Sequence, residues 1–267
     1  MLVTVAVTVA APATAQWGWR TRRAPPRFYE REARSTSGFM FCRLMYRSVR
    51  GEPLGHGWDT DYPGSDENFM TRFSEFTTAT VSRDLEGGPL YVVVRPTDDN
   101  LFRCPFLFMS DAGTAGFDAS ETQYLRGYLL RGGLLYADDF WGSRAWEHWE
   151  REIGKILPPE RYPIVDIPLD HPIFTIQYDV ARVPQIPSIQ FWRRSGGRST
   201  SERGFDSEEP HLRGIMDDHG RLLVVMTHNT DIADGWEREG EEFDFFHRFS
   251  ADAYALAINI VLYTMTH

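Results

Sequence analysis

The sequence predicts an α/β protein with three layers, in which helices cover both faces of a doubly wound, mostly parallel sheet. Two patterns of the 267-residue chain indicate this class. Short segments that are apolar throughout, as expected for strands covered on both faces, alternate with longer segments whose apolar residues recur at helical spacing. The sequence shows no internal repeat and no sign of a second apolar core, so we expect a single domain over residues 39–267.

Five segments are predicted to be strands because they are short, apolar and bounded by turn residues. The most strongly apolar of them, "GRLLVVMTHN", comes late in the chain, and "LLYAD" directly follows two glycines. The predicted strands are residues 38–48, 89–96, 105–110, 134–138 and 220–229.

Four segments are predicted to be helices from their apolar spacing and their capping residues. Ser65 and Ser143 are predicted N-caps, and Asp118 with Glu121 resembles a capping box. The last helix is apolar almost all round, but Asn259 interrupts a run that is too short to span a membrane, so we expect it to be buried in the domain. The predicted helices are residues 65–81, 118–131, 143–157 and 250–265.

The N-terminal region precedes this domain. Residues 1–15 are uncharged and mostly apolar and end in Ala13-Thr14-Ala15, the small-x-small pattern of a signal-peptidase site, which predicts export to the periplasm or cell envelope. A positive n-region is missing, so a buried N-terminal strand is the alternative. Residues 16–38 are predicted to be a basic flexible tail, since residues 20–34 hold six Arg and two Glu.

Composition excludes some classes of function. The net charge of −10 and the pI near 5.3 argue against a nucleic-acid partner, and no glycine-rich nucleotide motif occurs.

Cys42 and Cys104 are too few for a disulfide scaffold, and we expect two small core residues, although in an oxidising compartment they could pair. Residues 184–210, rich in Pro, Gly, Ser and mixed charge, are predicted to be a mobile lid or a disordered insertion.

The candidate site lies at the carboxyl ends of the strands, where open α/β sheets bind ligands. Each predicted strand from the second onward is followed by at least one aspartate, and together these form a predicted acidic crevice. Its carboxylates could act as general acid or base, with His228 as a second proton carrier, or could hold a divalent metal. The aspartates are Asp98, Asp99, Asp111, Asp138, Asp139, Asp231 and Asp234. The candidate catalytic residues are Asp111, Asp138, Asp139 and His228, and the candidate ligand-binding residues are Asp61, Trp141, Asn229 and Asp231.

Two local motifs can be excluded. The stretch "DTDYPGSDENFM" begins like an EF-hand calcium loop, but Pro63 and Met70 stand where oxygen ligands are needed. A G-x-[SC]-x-G nucleophile elbow does not occur, and Ser110, at a strand end, lacks the flanking glycine. An acyl-enzyme mechanism is therefore unsupported.

Five stretches together resemble the bacterial family called domain of unknown function 4159. They are "WDTDYPGSDENFMTRFSEFT", "FLFMSDAG", "YLRGYLLRGGLLYADDFWGS", "DHPIF" and "RLLVVMTHNTDIADGWE". The resemblance covers residues 39–266 and implies a fold similar to the class I glutamine amidotransferase-like superfamily, a flavodoxin-like α/β sandwich. It does not imply glutaminase activity, because the elbow cysteine is missing. Members are often joined to, or encoded near, membrane-associated von Willebrand-type and AAA-ATPase components, which implies a cell-envelope partner.

We therefore expect an exported α/β protein that binds a small polar, carbohydrate-derived ligand or a divalent metal in an acidic crevice. The reaction, the cofactor and the identity of the metal are left open by the sequence. The alternative is a non-catalytic interaction module of a cell-envelope complex, in which the aspartates only cap helices and order turns. Neither hypothesis includes a transmembrane helix in the mature chain.

Overall fold

A seven-stranded sheet forms the centre of the molecule in the computed structural model, which describes residues 25–29, 33–35 and 37–267. The predicted signal peptide and much of the basic tail lie outside these residues. The strands are β1 (Phe41–Leu44), β2 (Tyr91–Val94), β3 (Phe106–Met109), β4 (Leu134–Ala137), β5 (Ile164–Asp166), β6 (His211–Met216) and β7 (Leu222–His228). Two small pairs lie outside this sheet: Ala33–Ser35 with Arg83–Asp84, and Arg47–Ser48 with Ala115–Gly116.

The strand order is β2-β1-β3-β4-β7-β6-β5. The first five strands in this order run parallel, whereas β6 pairs antiparallel with both β7 and β5. The prediction of a mostly parallel sheet is thus confirmed. The last two strands of this order, β6 and the edge strand β5, were not predicted, because β5 is only partly covered and β6 alternates between buried and partly buried positions, so neither is apolar throughout.

Within the described residues, six helices and several single turns connect the strands. The helices are α1 (Gly64–Phe76), α2 (Ala119–Leu130), α3 (Gly142–Ile156), α4 (Ile189–Ser195), α5 (Asp234–Glu237) and α6 (Ala251–Thr266), and helical residues Phe243–Phe245 and Phe246–Ser250 lead into α6. Short 3₁₀ turns cover Asp99–Arg103, Ala112–Thr114, Pro172–Phe174 and Gly204–Ser207. None of the helices within the described part of the chain is long and apolar enough to cross a membrane.

One of the three capping predictions is confirmed. Asp118 accepts a hydrogen bond from the amide of Glu121, whose carboxylate accepts one from the amide of Asp118, both at 2.9 Å. The other two were wrong. Ser65 lies inside α1, where its hydroxyl accepts a hydrogen bond from Arg43, and Ser143 donates through its amide and hydroxyl to Asp206.

Apolar side chains pack on both faces of the sheet and give the molecule its three layers. Phe41 and Tyr136 belong to a core formed with α1, α5 and α6. Leu107 and Leu135 belong to a second core formed with α2 and α3. Asn259 of α6 is fully buried, and it accepts from the amides of residues 177 and 178.

Cys42 and Cys104 form a disulfide. Both are buried, as predicted, but the expectation of two unpaired core residues was wrong. The bond links β1 to the residue that ends the 3₁₀ turn before β3.

Residues 184–210 are more ordered than their composition suggested. They contain α4 and a 3₁₀ turn, and Gln185 donates to the carbonyls of Ser207 and Asn229 at 2.8 and 3.1 Å. Side-chain hydrogen bonds thus connect the segment to the end of β7, and its role as a mobile lid stays a prediction.

Candidate functional site

The carboxyl ends of β1, β3, β4 and β7 meet at one edge of the sheet. Four of the predicted site residues there have left-handed backbone conformations: Asp61, Asp111, Asp139 and Asn229, with φ between 51° and 64°. This conformation is uncommon outside glycine, and Asp and Asn adopt it more readily than other residues. Sharp turns at the strand ends thus explain why these residue types recur here.

Three carboxylates converge at this edge. Asp61, Asp231 and Asp234 each place one oxygen within 4.8 Å of the other two. Asp231 accepts from the amide of Asp234 at 2.9 Å, and Asp234 accepts from the amide of Ile189 at 2.7 Å. The hydroxyl of Ser110 donates to Asp61 at 3.2 Å. Backbone and hydroxyl donors therefore hold the three side chains in a fixed arrangement.

Asp139 belongs to the same group of charges. Burial raises its pKa well above the ordinary value, and the charges of Asp61, Asp111 and Glu202 raise it further. The indole N–H of Trp141 donates to Asp139 at 3.0 Å. Trp141 is 4% exposed, so it orients Asp139 and does not present a face to a ligand.

Asp111 contributes an oxygen that lacks a partner. Its Oδ2 accepts from the amide of Gly57 at 2.7 Å, whereas its buried Oδ1 has no hydrogen-bond partner among the described residues. Burial, together with the charges of Glu52 and Asp61, raises the pKa of Asp111 to about 8. Asp111 is therefore largely protonated at neutral pH. We call Asp61, Asp111, Asp139, Asp231 and Asp234 the carboxylate cluster.

Asp138 has a structural role. One of its oxygens accepts from the hydroxyl of Thr227, and the other accepts from the amide of Ala233 at 3.0 Å. Burial raises its pKa to about 7. Both oxygens are engaged, so Asp138 connects β4, β7 and the turn before α5.

The side chains of His228 and Asn229 do not take part in the carboxylate cluster. The ring of His228 packs between Phe140 and Trp146, and its Nε2 lies 3.1 Å from the carbonyl oxygen of Gly142. Burial lowers the pKa of His228 to about 4, so it is neutral at physiological pH. Asn229 accepts from the amide of Gly142 and donates to the carbonyl of Glu209, both at 2.8 Å, which orders the turn after β7.

Two segments that we call the cover lie over the cluster: residues 52–57 and residues 202–206. A Cβ atom on Gly55 would lie 2.4 Å from Asp111, and Arg203 packs on Gly142 beside Asp139. Arg203 joins the two segments, because it pairs with Glu52 at 3.3 Å and with Glu202 at 3.1 Å. The side chains of Glu52 and Glu202 are 5% and 2% exposed.

Sequence reasoning missed several members of this site. Asp234 was counted among the aspartates at the strand ends but was not chosen as a site residue. Its position three residues after Asp231, at the start of a helix, is a signal that the sequence contains. Glu52 and Glu202 carry no sequence signal, since they are 150 residues apart and lie in irregular segments. By contrast, Asp98 lies away from the cluster, where it accepts from the amide of Arg95 at 2.8 Å.

Burial, and after it electrostatic repulsion, disfavours full ionisation of the carboxylate cluster. Burial raises the pKa values of Asp231 and Asp234, and the charge of Asp61 raises both further. Burial also raises the pKa of Asp61, which the charges of Arg43 and Arg238 oppose. Either protons or a cation would relieve this repulsion.

The donor set fits a hard divalent cation. Oxygens bound to Ca²⁺ at about 2.3 to 2.6 Å lie at most about 5 Å apart, so three oxygens within 4.8 Å can share one ion. Carboxylate oxygens favour Mg²⁺, Ca²⁺ or Mn²⁺, whereas zinc sites usually include His or Cys.

Comparison with known proteins gives one match. Residues 40–265 match the family model described as domain of unknown function (DUF4159), a range that includes the whole carboxylate cluster. No curated protein matches the chain.

Proposed function

The chain belongs to the domain of unknown function (DUF4159) family, and from its geometry we propose that it binds a divalent cation through Asp61, Asp231 and Asp234. The observation that carries this proposal is the convergence of three carboxylate oxygens within 4.8 Å in a buried setting. The partnerless oxygen of Asp111 supports it independently, because a buried polar atom without a partner calls for a ligand or solvent.

A cation bound by these carboxylates would also help to bind a small polar ligand. Three protein oxygens leave coordination positions for water and for oxygens of a ligand. Trp58 and Tyr62 are partly exposed, with ring centroids 5.6 Å apart, on the segment that carries Asp61. Such rings can stack on a sugar, so a carbohydrate-derived ligand fits this site.

A hydrolytic role is the enzymatic form of this proposal. A bound cation would polarise an oxygen of the ligand. Asp111, whose pKa burial raises to about 8, would donate the proton to the leaving group.

We also propose that the fold belongs to the glutamine amidotransferase-like superfamily. Supporting this, the order β2-β1-β3-β4-β7 matches the flavodoxin-like pattern 2-1-3-4-5. Glutaminase activity is not part of the proposal, because both cysteines of the chain form the disulfide.

We also propose that the protein is exported. The apolar residues 1–15 with Ala13-Thr14-Ala15 support it, and so does the disulfide, since structural disulfides are typical of oxidising compartments. Expression of the full chain in a bacterial host should place the protein in the periplasm with Gln16 as its first residue. Cytoplasmic retention of the uncleaved chain would count against export.

One observation favours the second candidate, a non-catalytic interaction module. Phe205, in the cover, is 93% exposed, which is unusual for a large apolar side chain. If this candidate is correct, the carboxylates only order turns, and cations should leave the stability of the fold unchanged.

Thermal unfolding distinguishes the two candidates. We expect Mg²⁺, Ca²⁺ or Mn²⁺, added after EDTA treatment, to stabilise the protein by about 2.7 kcal/mol at 100 times the dissociation constant. The double variant Asp231→Asn/Asp234→Asn should lose this response and should be more stable than the wild type in EDTA, because its repulsion is reduced. Asp98→Asn, at a neighbouring strand end, is the control. An unchanged melting temperature with every ion would exclude the cation site.

A further inference from the structure

We propose that Arg43 is the positioning residue of this cation site, in that it holds the chain on both sides of Asp61. The inference rests on the proposed function. It assigns a role to a residue that touches none of the three proposed ligands through a hydrogen bond.

Arg43 is a fully buried arginine in the middle of β1. Its guanidinium donates in three directions. One terminal nitrogen donates to the carbonyls of Trp58 and Thr60 at 3.1 and 2.8 Å, and the other donates to the hydroxyl of Ser65 at 2.8 Å. The Nε atom donates to Asp66 at 2.9 Å. The phenyl ring of Phe108 packs 4.9 Å from the guanidinium carbon.

These acceptors lie on either side of Asp61. Trp58 and Thr60 precede it, and Ser65 and Asp66 form the first turn of α1 after it. The segment between them has little regular structure, and Asp61 itself has a left-handed backbone with φ of 64°. A single rigid guanidinium thus fixes both ends of the short segment that presents the Asp61 carboxylate to Asp231 and Asp234.

Lysine cannot replace this arrangement. An ammonium group carries the same charge, but its three donors radiate from one nitrogen and cannot reach two carbonyls, a hydroxyl and a carboxylate in the fork geometry of arginine. We therefore expect Arg43→Lys to retain the buried charge and to loosen the segment that carries Asp61. Loss of a group that orients metal ligands typically lowers metal affinity by about 10- to 100-fold.

The test compares Mn²⁺ affinity and Tb³⁺ luminescence in the full chain. Tb³⁺ reports local geometry, because energy transfer from Trp58 and Tyr62 depends on their distance from the ion. We expect Arg43→Lys to bind Mn²⁺ about 10- to 100-fold more weakly and to lose most of the sensitised Tb³⁺ emission. Arg221→Lys is the matched control, because Arg221 also donates to two backbone carbonyls, those of Gly133 and Leu129, away from the cluster. Its affinity and emission should equal those of the wild type.

Each outcome decides a different point. Unchanged affinity and emission in folded Arg43→Lys would overturn the positioning role and leave the cation site intact. Absence of binding in the wild type would overturn both. If Arg43→Lys does not fold, Ser65→Ala replaces it, since this variant removes one acceptor and leaves the Arg43–Asp66 ion pair in place. Ser65→Ala should weaken Mn²⁺ binding in the same direction, and equal affinity in that variant would reject the role.

Discussion

Asp138 and Asp139 are adjacent in sequence but differ in what their carboxylates contact. Asp138 accepts from Thr227 and from the amide of Ala233, whereas Asp139 faces the charges of the carboxylate cluster. The strand ends at Ala137, and the left-handed backbone of Asp139, with φ of 55°, turns the chain there and separates the two roles. The pair in "LLYADDFW" therefore combines one structural carboxylate and one site carboxylate.

Alanine substitution should separate these roles. Asp138→Ala leaves the buried Ala233 amide without its acceptor, at a cost of about 1 to 3 kcal/mol, whereas the Thr227 hydroxyl keeps Tyr136 as a partner. Asp139→Ala removes the acceptor of Trp141 but also relieves repulsion. We expect the free energy of unfolding, measured in urea with EDTA, to fall by about 1 kcal/mol or more beyond the Asp139→Ala loss for Asp138→Ala. Equal losses would show that the two carboxylates are equivalent.

At the scale of elements, apolar pattern predicted the strands that are covered on both faces. β1, β2, β3, β4 and β7 were all identified. β5 and β6 are harder to identify from sequence because their partly exposed residues are not apolar throughout. The first residues of two helices were also predicted wrongly. Ser65 and Ser143 have the residue type of an N-cap, but tertiary contacts give their hydroxyl groups other partners, Arg43 and Asp206.

The Cys42–Cys104 bond joins two neighbouring elements across 62 positions of sequence. A cross-link over a loop of this length stabilises a fold by about 2 to 4 kcal/mol, mainly by restricting the unfolded chain. We expect Cys42→Ala/Cys104→Ala to lower the free energy of unfolding by this amount, as measured by urea denaturation. The reduced wild type should behave similarly. An unchanged midpoint in both would argue against a stabilising role for the bond.

For the whole molecule, the sequence predicted which edge of the sheet gathers carboxylates better than it predicted which side chains meet there. The rule that ligands bind at the carboxyl ends of strands placed Asp61, Asp111, Asp139 and Asp231 correctly at one edge. His228 was assigned to the same site, but β7 directs its side chain toward Trp146 and away from the carboxylates. Glu52 and Glu202 reach the site through tertiary folding alone.

The stability of the cation-free protein should fall as pH rises above 6.5. Burial raises the pKa of Asp138 to about 7 and of Asp111 to about 8, so the folded protein binds protons that the unfolded chain releases near pH 3.8. Their stabilising contribution is complete below pH 3.8 and is lost as pH passes through 7 and 8. His228, whose pKa burial lowers from 6.5 to about 4, adds only a small opposing gain, which ends just above pH 6.5.

We expect the free energy of unfolding in EDTA to fall by roughly 2 kcal/mol between about pH 6.5 and 8.5. Urea denaturation at several pH values measures this. A saturating divalent cation should flatten the dependence, because it offsets the negative charge that develops in the carboxylate cluster. Stability that stays constant or rises over this range in EDTA would contradict the assigned ionisation states.

The cover has a kinetic consequence. Asp111, Asp231 and Asp234 are 1–2% exposed beneath or beside segments joined by Arg203 and Glu52. We expect an ion or a sugar at these carboxylates to exchange faster when those ion pairs are broken, so that the residence time of an occupant depends on how often the two segments part.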